Sequence, residues 1–420
     1  MEILPIDAIV YNQNKVRIND CLAPPYDVID ADYRQELLSR NEYNIVNLIL
    51  PVGDDCYKNA GKIFDSWKEE KILINTQKPS IFYLVQKYRN QKGALIERKG
   101  FIARNKIEEF DSKKILPHEY TMGGPKEDRF NLLCATGAFF SQIFMVYDDK
   151  TKKIENEVYE KYKGKKPFID AFDDSGTQHS VYLIDDEDDI KIIQETLLDK
   201  TLLIADGHHR YETSMKYAKE HKENKSAQYV MSYYTNAQDE NLIIYPTHRI
   251  IEKEISPYDL LKKVAKYYNI EIAATKEDFL NRIEQENKNQ ITTGLVLKDD
   301  ERFYILKLKN GVKETIEAQK ELQNLDLVVL HEIILKKELK YTDSELMSQE
   351  GIKYEKKEKV AFDSVKENKA CACFIMAYPK MDDILNVSRA GLRMPQKSTY
   401  FYPKLLSGLV INPIEKVDND

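Results

Sequence analysis

A short strand–turn–helix pattern in the middle of the chain constrains the fold more than any other stretch. Residues 201–205 (Thr-Leu-Leu-Ile-Ala) are typical of a buried strand, Asp206-Gly207 interrupts them, and the residues that follow suit a helix. A turn that opens a helix presents unpaired backbone N–H groups and the positive end of the helix dipole. The pattern therefore predicts an anion site, above all a phosphate site, at this turn.

The same turn concentrates polar side chains. His208 and His209 stand side by side, although the chain has only seven histidines, and Arg210 and Glu212 follow them. The alternative is a turn whose polar residues cap a helix and face water. The pairing of two rare histidines favours a binding site.

A second polar cluster lies at residues 117–129. Lys126 and Arg129 could hold phosphate oxygens, while Glu119 and Asp128 could hold Mg²⁺ or accept a proton. The pair Gly123-Gly124 predicts a loop whose backbone approaches a ligand closely. The alternative is a solvated loop with surface ion pairs. His118-Glu119 is not a zinc metalloprotease motif, because the second histidine at helical spacing is missing.

A third cluster lies near the C-terminus, at residues 391–404. Lys397, Ser398, Thr399 and Lys404 are suitable phosphate contacts, but the glycine spacing of a Walker A loop is absent. Near the N-terminus, the segment Ala-Pro-Pro-Tyr-Asp-Val (23–28) forms a rigid loop ending in Asp27. Such a loop either lines a cleft or forms a structural corner, and the sequence favours neither.

The remaining segments predict three regions. Residues 1–254 form the main domain, and residues 255–340 read as an accessory α+β subdomain without a polar cluster. Residues 341–420 are expected to return to the main domain and contribute the Lys-Ser-Thr cluster. His331 lies on an apolar helical face, so we expect it in the core.

Composition excludes several classes of protein. The net charge of −7 over 420 residues argues against a general nucleic-acid binder, which needs clustered basic side chains. No apolar run approaches the ~18 residues of a membrane span, and the N-terminus lacks a secretory signal. The five scattered cysteines fit neither a disulfide framework nor a zinc site. We therefore expect a cytoplasmic protein that needs neither nucleic acid nor a membrane.

The polar motifs at 23–28, 117–129, 206–213 and 394–404 together resemble domain-of-unknown-function family 1015 over nearly the full length. More distantly, the strand, Asp-Gly-His-His-Arg-Tyr-Glu and the helix look like the nucleotide-binding motif of the ParB/sulfiredoxin superfamily. The N-terminal Ile-Leu-Pro-Ile-Asp-Ala-Ile (3–9) looks like its opening strand. The resemblance implies an α+β (mixed α/β) fold with a ParB/sulfiredoxin-like nucleotide-binding core and an accessory α+β subdomain.

This superfamily includes partition nucleotidases, sulfiredoxin, and kinases of free serine or inositol. The chain departs from two of these groups. Sulfiredoxin needs a cysteine where His208 or its neighbour stands, and no helix-turn-helix of a partition protein is evident. The resemblance therefore implies phosphoryl transfer or nucleotide hydrolysis, and a link to serine metabolism.

The resulting hypothesis is a nucleotide-dependent phosphotransferase that acts on a small hydroxylated metabolite, as a free serine kinase does. The alternatives are a non-catalytic nucleotide sensor and a simple nucleotide hydrolase. The cofactors would be Mg²⁺ and a nucleoside di- or triphosphate, with a homo-oligomer left open. The expected nucleotide-binding residues are Asp206, Gly207, His208, Arg210, Lys126, Arg129, Lys397, Ser398 and Thr399.

Candidates for the catalytic groups and the metal ligands complete the hypothesis. The base that accepts the substrate hydroxyl proton is expected to be Glu119, then Glu212, then Asp27, with His118 and His209 as further catalytic candidates. Asp206 or Asp128 would hold part of the Mg²⁺ shell. The mechanism requires the three main clusters to meet in one cleft.

Overall fold

The chain forms two units. The computed structural model describes residues 1–91, 93–120, 124–395 and 397–415, with only the backbone of residues 124 and 125. Unit 1 comprises Met1–Pro117, Thr121–Ile243 and Pro403–Asp420, and unit 2 comprises His118–Tyr120 and Ile244–Tyr402.

Both units contain strands and helices. The strands in chain order are β1 (Ile3–Leu4), β2 (Ile9–Tyr11), β3 (Leu73–Asn75), β4 (Ile81–Arg89), β5 (Leu95–Lys106), β6 (Ile115–Pro117), β7 (Ala138–Phe139), β8 (Ile143–Tyr147), β9 (Ile169–Phe172), β10 (Gln178–Ile184), β11 (Leu202–Asp206), β12 (Tyr229–Asn236), β13 (Ile243–Tyr245), β14 (His248–Ile251), β15 (Tyr268–Ala273), β16 (Thr292–Leu297), β17 (Phe303–Leu308), β18 (Ile352–Glu355), β19 (Ala372–Ile375), β20 (Tyr400–Tyr402) and β21 (Asn412–Pro413). The α-helices are α1 (Ile18–Cys21), α2 (Ala31–Arg40), α3 (Val46–Ile49), α4 (Cys56–Glu69), α5 (Gly124–Thr136), α6 (Glu160–Tyr162), α7 (Glu187–Leu197), α8 (His208–Glu220), α9 (Pro257–Val264), α10 (Lys276–Glu286), α11 (Lys320–Gln323), α12 (Asp326–Val329), α13 (Asp343–Ser348), α14 (Glu358–Lys366) and α15 (Met381–Arg389). Two π-helical segments, Glu155–Tyr159 and Leu330–Glu338, extend α6 and α12.

Unit 1 is built on a nine-stranded mixed sheet. Its strand order is β6-β11-β8-β12-β5-β4-β10-β9, and β1 pairs with β5. Alternate residues of the central strands, such as Tyr83 and Phe101, pack into one apolar core. The opposite face of the same strands carries the fully buried polar residues Gln86 and Arg98. Both faces of the centre are therefore covered, as the continuous apolar runs of such strands require.

Unit 2 is built on a six-stranded antiparallel sheet of order β15-β17-β16-β19-β14-β18. One face packs against the segment after α12 through a core that includes Leu295, Phe374 and Leu330. The other face packs on α10 and α14 through residues such as Phe279 and Cys373. His331 is buried, with 5% of its surface exposed, as the apolar helical pattern predicted.

The mixed α+β fold predicted from the sequence is confirmed. The central pattern folds as expected, because β11 ends at Asp206 and α8 begins at His208. The predicted loop at residues 123–129 differs, since α5 already begins at Gly124. Lys126, Asp128 and Arg129 therefore stand on the first turns of a helix. Gly123 and the neighbouring Thr121 lie outside the described residues.

The extent of the units differs from the predicted regions. Unit 2 begins at residue 244 and runs to residue 402, whereas the sequence suggested an accessory subdomain of 255–340. The reason is strand pairing, because β18 and β19 both pair with β14 and β19 also pairs with β16. Only residues 403–420 of the predicted C-terminal segment return to unit 1. Within the described parts of the chain, no helix has the length and apolar character to cross a membrane.

Candidate functional site

The turn between β11 and α8 has a backbone that only glycine adopts easily. Gly207 has a φ of +93°, and a Cβ atom there would lie 2.9 Å from Nη2 of Arg210. The left-handed backbone disfavours any other residue, and an added Cβ atom would displace the guanidinium of Arg210. Gly207 thus allows the guanidinium of Arg210, which stands on the first turn of α8, to fold back over the turn.

Asp206 carries the negative charge that balances two cationic side chains at this turn. Its Oδ1 accepts a hydrogen bond from Nζ of Lys404 at 2.6 Å, and its Oδ2 accepts one from Nη2 of Arg210 at 2.9 Å. Burial alone would raise the pKa of Asp206, but the charges of Lys404 and Arg210 outweigh it and hold the pKa well below its ordinary value. The carboxylate is therefore ionised, and both of its oxygens are engaged by cations.

A cavity of about 510 Å³, open to solvent, lies beside the turn. We call it the Arg210 cavity. Its lining is mostly apolar, with two arginines and a few hydroxyl groups: Tyr26, Ile49, Arg129, Leu132, Leu133, Ala138, Phe139, Phe140, Ser141, Ile143, Arg210, Thr213 and Ser214. Apolar walls with a few placed polar groups are typical of a small-ligand site.

Arg129 supplies the second cation of the Arg210 cavity. Its Nε donates to Oδ2 of Asp128 at 2.7 Å, its Nη1 donates to the carbonyl of Ile49 at 2.6 Å, and its guanidinium lies 4.1 Å from the ring centroid of Tyr26. Asp128 also accepts a hydrogen bond from Tyr57 at 2.8 Å. The predicted phosphate contact Arg129 therefore lines the cavity, while the predicted metal ligand Asp128 is engaged in holding it.

Tyr26 connects the Pro-Pro loop to the two arginines. Burial raises the pKa of Tyr26, and the charges of Arg210 and Arg129 oppose that rise. Its ring therefore lies within the field of both guanidinium groups. Of the two readings left open for this loop, the cleft-lining one applies to Tyr26, whereas Asp27 is exposed.

Lys126 and Glu212 join the two helices that border the cavity. They form an ion pair between α5 and α8, and the hydroxyl of Thr213 donates to the carbonyl of Lys126 at 3.4 Å. The side chains of Lys126 and Glu212 remain 34% and 24% exposed. His208 is buried on the first turn of α8, and His209 beside it is half-buried.

The other predicted residues form a cluster within unit 2. Nε2 of His118 lies 2.8 Å from the hydroxyl of Thr399. Oε1 of Glu119 accepts hydrogen bonds from the backbone N–H of Ser398 at 3.3 Å and from the Thr399 hydroxyl at 3.4 Å. The side chain of Lys397 is exposed, and its backbone carbonyl accepts a hydrogen bond from Arg249.

The structure thus brings the predicted residues together in two groups. In unit 1, Arg129 and Arg210 line the cavity, and Asp206 and Gly207 form the turn that holds Arg210 without lining the cavity themselves. In unit 2, the cluster consists of His118, Glu119, Ser398 and Thr399. That all of them serve one active site stays a prediction. Among the described residues, no group of three or more His, Cys, Asp or Glu side chains could hold a metal ion.

The sequence did not reveal one set of residues at this site. Arg98 donates to the carbonyl of Pro403 at 2.7 Å, and Gln86 donates to the carbonyl of Lys404 at 3.2 Å. Arg98 also donates to Gln86, which is its direct partner across the β4–β5 hairpin. These bonds fix the backbone that carries Lys404 to Asp206. The available signal was Gln86, an amide that directly follows five apolar residues of β4.

Fold and site together define a mixed α+β protein with a mostly apolar cavity that is lined by two arginines. The chain belongs to the family described as protein of unknown function DUF1015, whose model matches residues 3–328. The comparison with curated proteins found no match.

Several solved structures resemble the chain at low identity. Free serine kinase in complex with AMP is 13% identical, and the match covers 73% of this chain and 90% of that one, with a TM-score of 0.36. A variant of free serine kinase in complex with ADP is also 13% identical. That match covers 73% of this chain and 91% of the other, with a TM-score of 0.36. SbnI with a C-terminal truncation, from Staphylococcus aureus, is 10% identical. That match covers 76% of this chain and 90% of the other, with a TM-score of 0.38. These scores do not establish a shared fold.

Proposed function

We propose that the protein is a nucleotide-dependent phosphotransferase and that the Arg210 cavity holds the nucleotide. One observation carries the proposal: Arg210, on the first turn of α8, and Arg129 line the same mostly apolar cavity. A nucleotide combines an apolar, aromatic base with an anionic phosphate chain, so it matches both parts of this lining. The helix dipole and the two guanidinium groups would favour the phosphates.

Arg210 would act as the phosphate-sensing cation. In the structure its Nη2 is held by Asp206, while Lys404 shares the charge of that carboxylate. With Lys404 in place, Asp206 keeps a counter-charge when Arg210 turns towards a phosphate. The release of Arg210 therefore does not leave a half-buried carboxylate without a partner, which would be costly.

The proposed reaction transfers the terminal phosphoryl group of the nucleotide to a hydroxyl of a small metabolite. Such a transfer needs mainly positioning and neutralisation of charge, and one group to accept the hydroxyl proton. Glu119 is our first candidate for that group, ahead of Glu212 and Asp27, because Glu212 already pairs with Lys126. L-serine is the first acceptor to test, since the turn motif resembles that of free serine kinases.

Magnesium enters the proposal as the counter-ion of the nucleotide. Asp206 and Asp128, the expected protein ligands, are both engaged by cationic side chains. These carboxylates fit a magnesium ion only after one of them exchanges a cationic partner. The proposed nucleotide-binding groups are therefore Arg210, Arg129 and the backbone of the turn. Each of these groups would contact the nucleotide directly, without a bridging magnesium ion.

The test separates binding from turnover. Isothermal titration with ATP, ADP, AMP and CTP, with and without Mg²⁺, measures binding, and phosphorus NMR with L-serine and other hydroxylated metabolites follows products. We expect saturable nucleotide binding and a new phosphomonoester signal. The absence of nucleotide binding under all these conditions would overturn the proposal.

A nucleotide sensor is the second candidate. It is favoured because Arg210 both lines the cavity and binds Asp206. A phosphate that draws Arg210 away from Asp206 would rearrange the contacts of Asp206 with Lys404 and so change the packing of residues 403–404. Nucleotide binding without any product would support this candidate. Release of inorganic phosphate without an acceptor would instead indicate a simple nucleotide hydrolase.

A further inference from the structure

Unit 2 contains a cavity of its own that adjoins the His118–Glu119 cluster, because Ser398 lines the cavity and its backbone N–H binds Glu119. It has a volume of about 490 Å³, including space open to solvent, and lies between the end of α10, the start of α12 and the start of α15. Two carboxylates, Asp326 and Asp383, line it together with Lys380, Asn287 and the apolar side chains of Ile291 and Ile384. Such a lining combines apolar walls with negative charge.

Asp326 is the carboxylate with an unsatisfied atom. Its Oδ1 accepts a hydrogen bond from the backbone N–H of Leu327 at 2.7 Å, and the backbone N–H of Ala377 also stabilises the carboxylate. Its Oδ2 is buried and has no hydrogen-bond partner among the described residues. A buried carboxylate oxygen without a donor is costly, so native proteins normally pair it. This atom therefore points to a missing donor.

The charges around Asp326 favour a bound cation. Burial raises the pKa of Asp326 to about 6, backbone hydrogen bonds and the charge of Arg249 oppose the rise, and Asp383 adds to it. Burial also raises the pKa of Asp383, with Lys380 opposing it. The ammonium of Lys380 donates to the carbonyl of Asn287 at 3.1 Å. The two carboxylates thus repel each other in one cavity.

We propose that this cavity binds a small molecule with a protonated amino group, which is held between Asp326 and Asp383. An ammonium group supplies three donors and a positive charge, and an attached carbon skeleton would pack on the apolar walls. A bare metal ion fits less well, because the described part of the chain contains no cluster of three or more ligating side chains. The site lies wholly within unit 2 and does not depend on nucleotide binding.

The test compares amines with their hydroxyl counterparts in the absence of nucleotide. The probes are putrescine against 1,4-butanediol, ethanolamine against ethylene glycol, and L-serine against glycerate, measured on the full chain by saturation-transfer NMR and calorimetry. We expect at least one amine to bind and its hydroxyl counterpart to bind about tenfold more weakly or not at all. If no amine binds, or each pair binds equally, the proposal fails.

Three matched variants locate the bound amine. Asp383→Asn and Asp326→Asn keep the side-chain shape and remove one charge each, so each should weaken amine binding about tenfold. Asp382→Asn is the control, because Asp382 is exposed on the same helix and does not line the cavity. Circular dichroism checks that all three variants fold. Equal losses in Asp382→Asn and Asp383→Asn would show general electrostatic attraction and overturn the assignment.

Nucleotide titrations keep the two proposals distinguishable. The Arg210 cavity belongs to unit 1, so Asp383→Asn should leave the affinity for ATP unchanged. A variant that loses amine binding and keeps ATP binding supports the site in unit 2. Loss of both ligands in Asp383→Asn would contradict a separate site.

Discussion

Lys404 Nζ lies 2.6 Å from Oδ1 of Asp206, although 198 positions separate the two residues in the chain. The other oxygen of Asp206 binds Arg210, which lines the cavity beside the turn. Asp206 is therefore a shared counter-charge for a cation from the C-terminal segment and a cation of the cavity. The following predictions test what each partner contributes.

The coupling between Asp206 and Lys404 should be measurable as stability. We expect Lys404→Met and Asp206→Asn each to destabilise the protein by about 1–3 kcal/mol, because each removes one member of a mostly buried, charge-assisted hydrogen bond. In the double variant the loss should be smaller than the sum of the two single losses. Urea unfolding followed by circular dichroism gives the four free energies of unfolding. Strict additivity would show that the contact contributes nothing.

Arg210 should control nucleotide affinity. Replacing it in Arg210→Gln removes a charge-assisted hydrogen bond to phosphate, so the Kd for ATP should rise about tenfold to a hundredfold. Lys219→Gln is the matched control, since Lys219 stands on the same helix, is 61% exposed and pairs with Glu109. Calorimetry should show no change for this control. Similar losses for both variants would point to the overall charge of the helix instead of the cavity.

Gly207 should be required for the position of Arg210. Gly207→Ala combines a strained φ of +93° with a Cβ only 2.9 Å from the Arg210 guanidinium, so we expect both stability and nucleotide binding to fall. Gly176→Ala is the control that separates backbone strain from the contact with Arg210. Gly176 has a φ of +78°, but no atom lies within 4 Å of the added Cβ. Both variants should lose about 1 kcal/mol from the backbone, and only Gly207→Ala should lose ATP affinity.

The sequence predicted those parts of the structure that depend on neighbouring residues. The turn at Asp206 and the helix that follows it were recognisable, because apolar periodicity and turn residues are local signals. The cap of α2 is local in the same sense, since Asp30 accepts a hydrogen bond from the N–H of Tyr33 at 2.8 Å.

The grouping of the polar clusters could not be predicted in the same way. Pro117 belongs to unit 1 and His118 to unit 2, although they are adjacent, because β6 pairs with β11 while Glu119 pairs with Met394. The partners of Lys404 and of Arg98 are likewise set by distant strands. No pattern within a short window encodes such pairings.

Asp326 should make stability fall as the pH rises. Burial raises its pKa to about 6 in the folded chain, with Arg249 opposing and Asp383 adding to the shift, whereas the unfolded side chain titrates near ~3.9. Between these values the folded state binds more protons, so stability falls from about pH 4 to pH 6 and stays lower above that. Asp326→Asn should therefore stabilise the protein by about 2 kcal/mol at pH 8 and by much less at pH 4.

Urea unfolding at the two pH values checks this dependence. Asp382→Asn, on the exposed side of α15, should change the free energy of unfolding equally at both. A gain in Asp326→Asn that is the same at pH 4 and pH 8 would show that Asp326 is not protonated in the folded state near pH 4.

Glu119 should be needed for turnover and not for nucleotide binding. Its Oε1 is fixed by hydrogen bonds from Ser398 and Thr399, so Glu119→Gln keeps the shape of the cluster and removes a proton acceptor. A missing general base lowers kcat by about a hundredfold or more, while the Kd for ATP should stay within about twofold. The acidic limb of the pH–rate profile should also disappear, which a purely structural role of Glu119 would not cause. Glu212→Gln is the comparison, since Glu212 pairs with Lys126. If Glu212→Gln lowers kcat and Glu119→Gln does not, the base is Glu212, and the cluster at His118 and Thr399 has a structural role in unit 2.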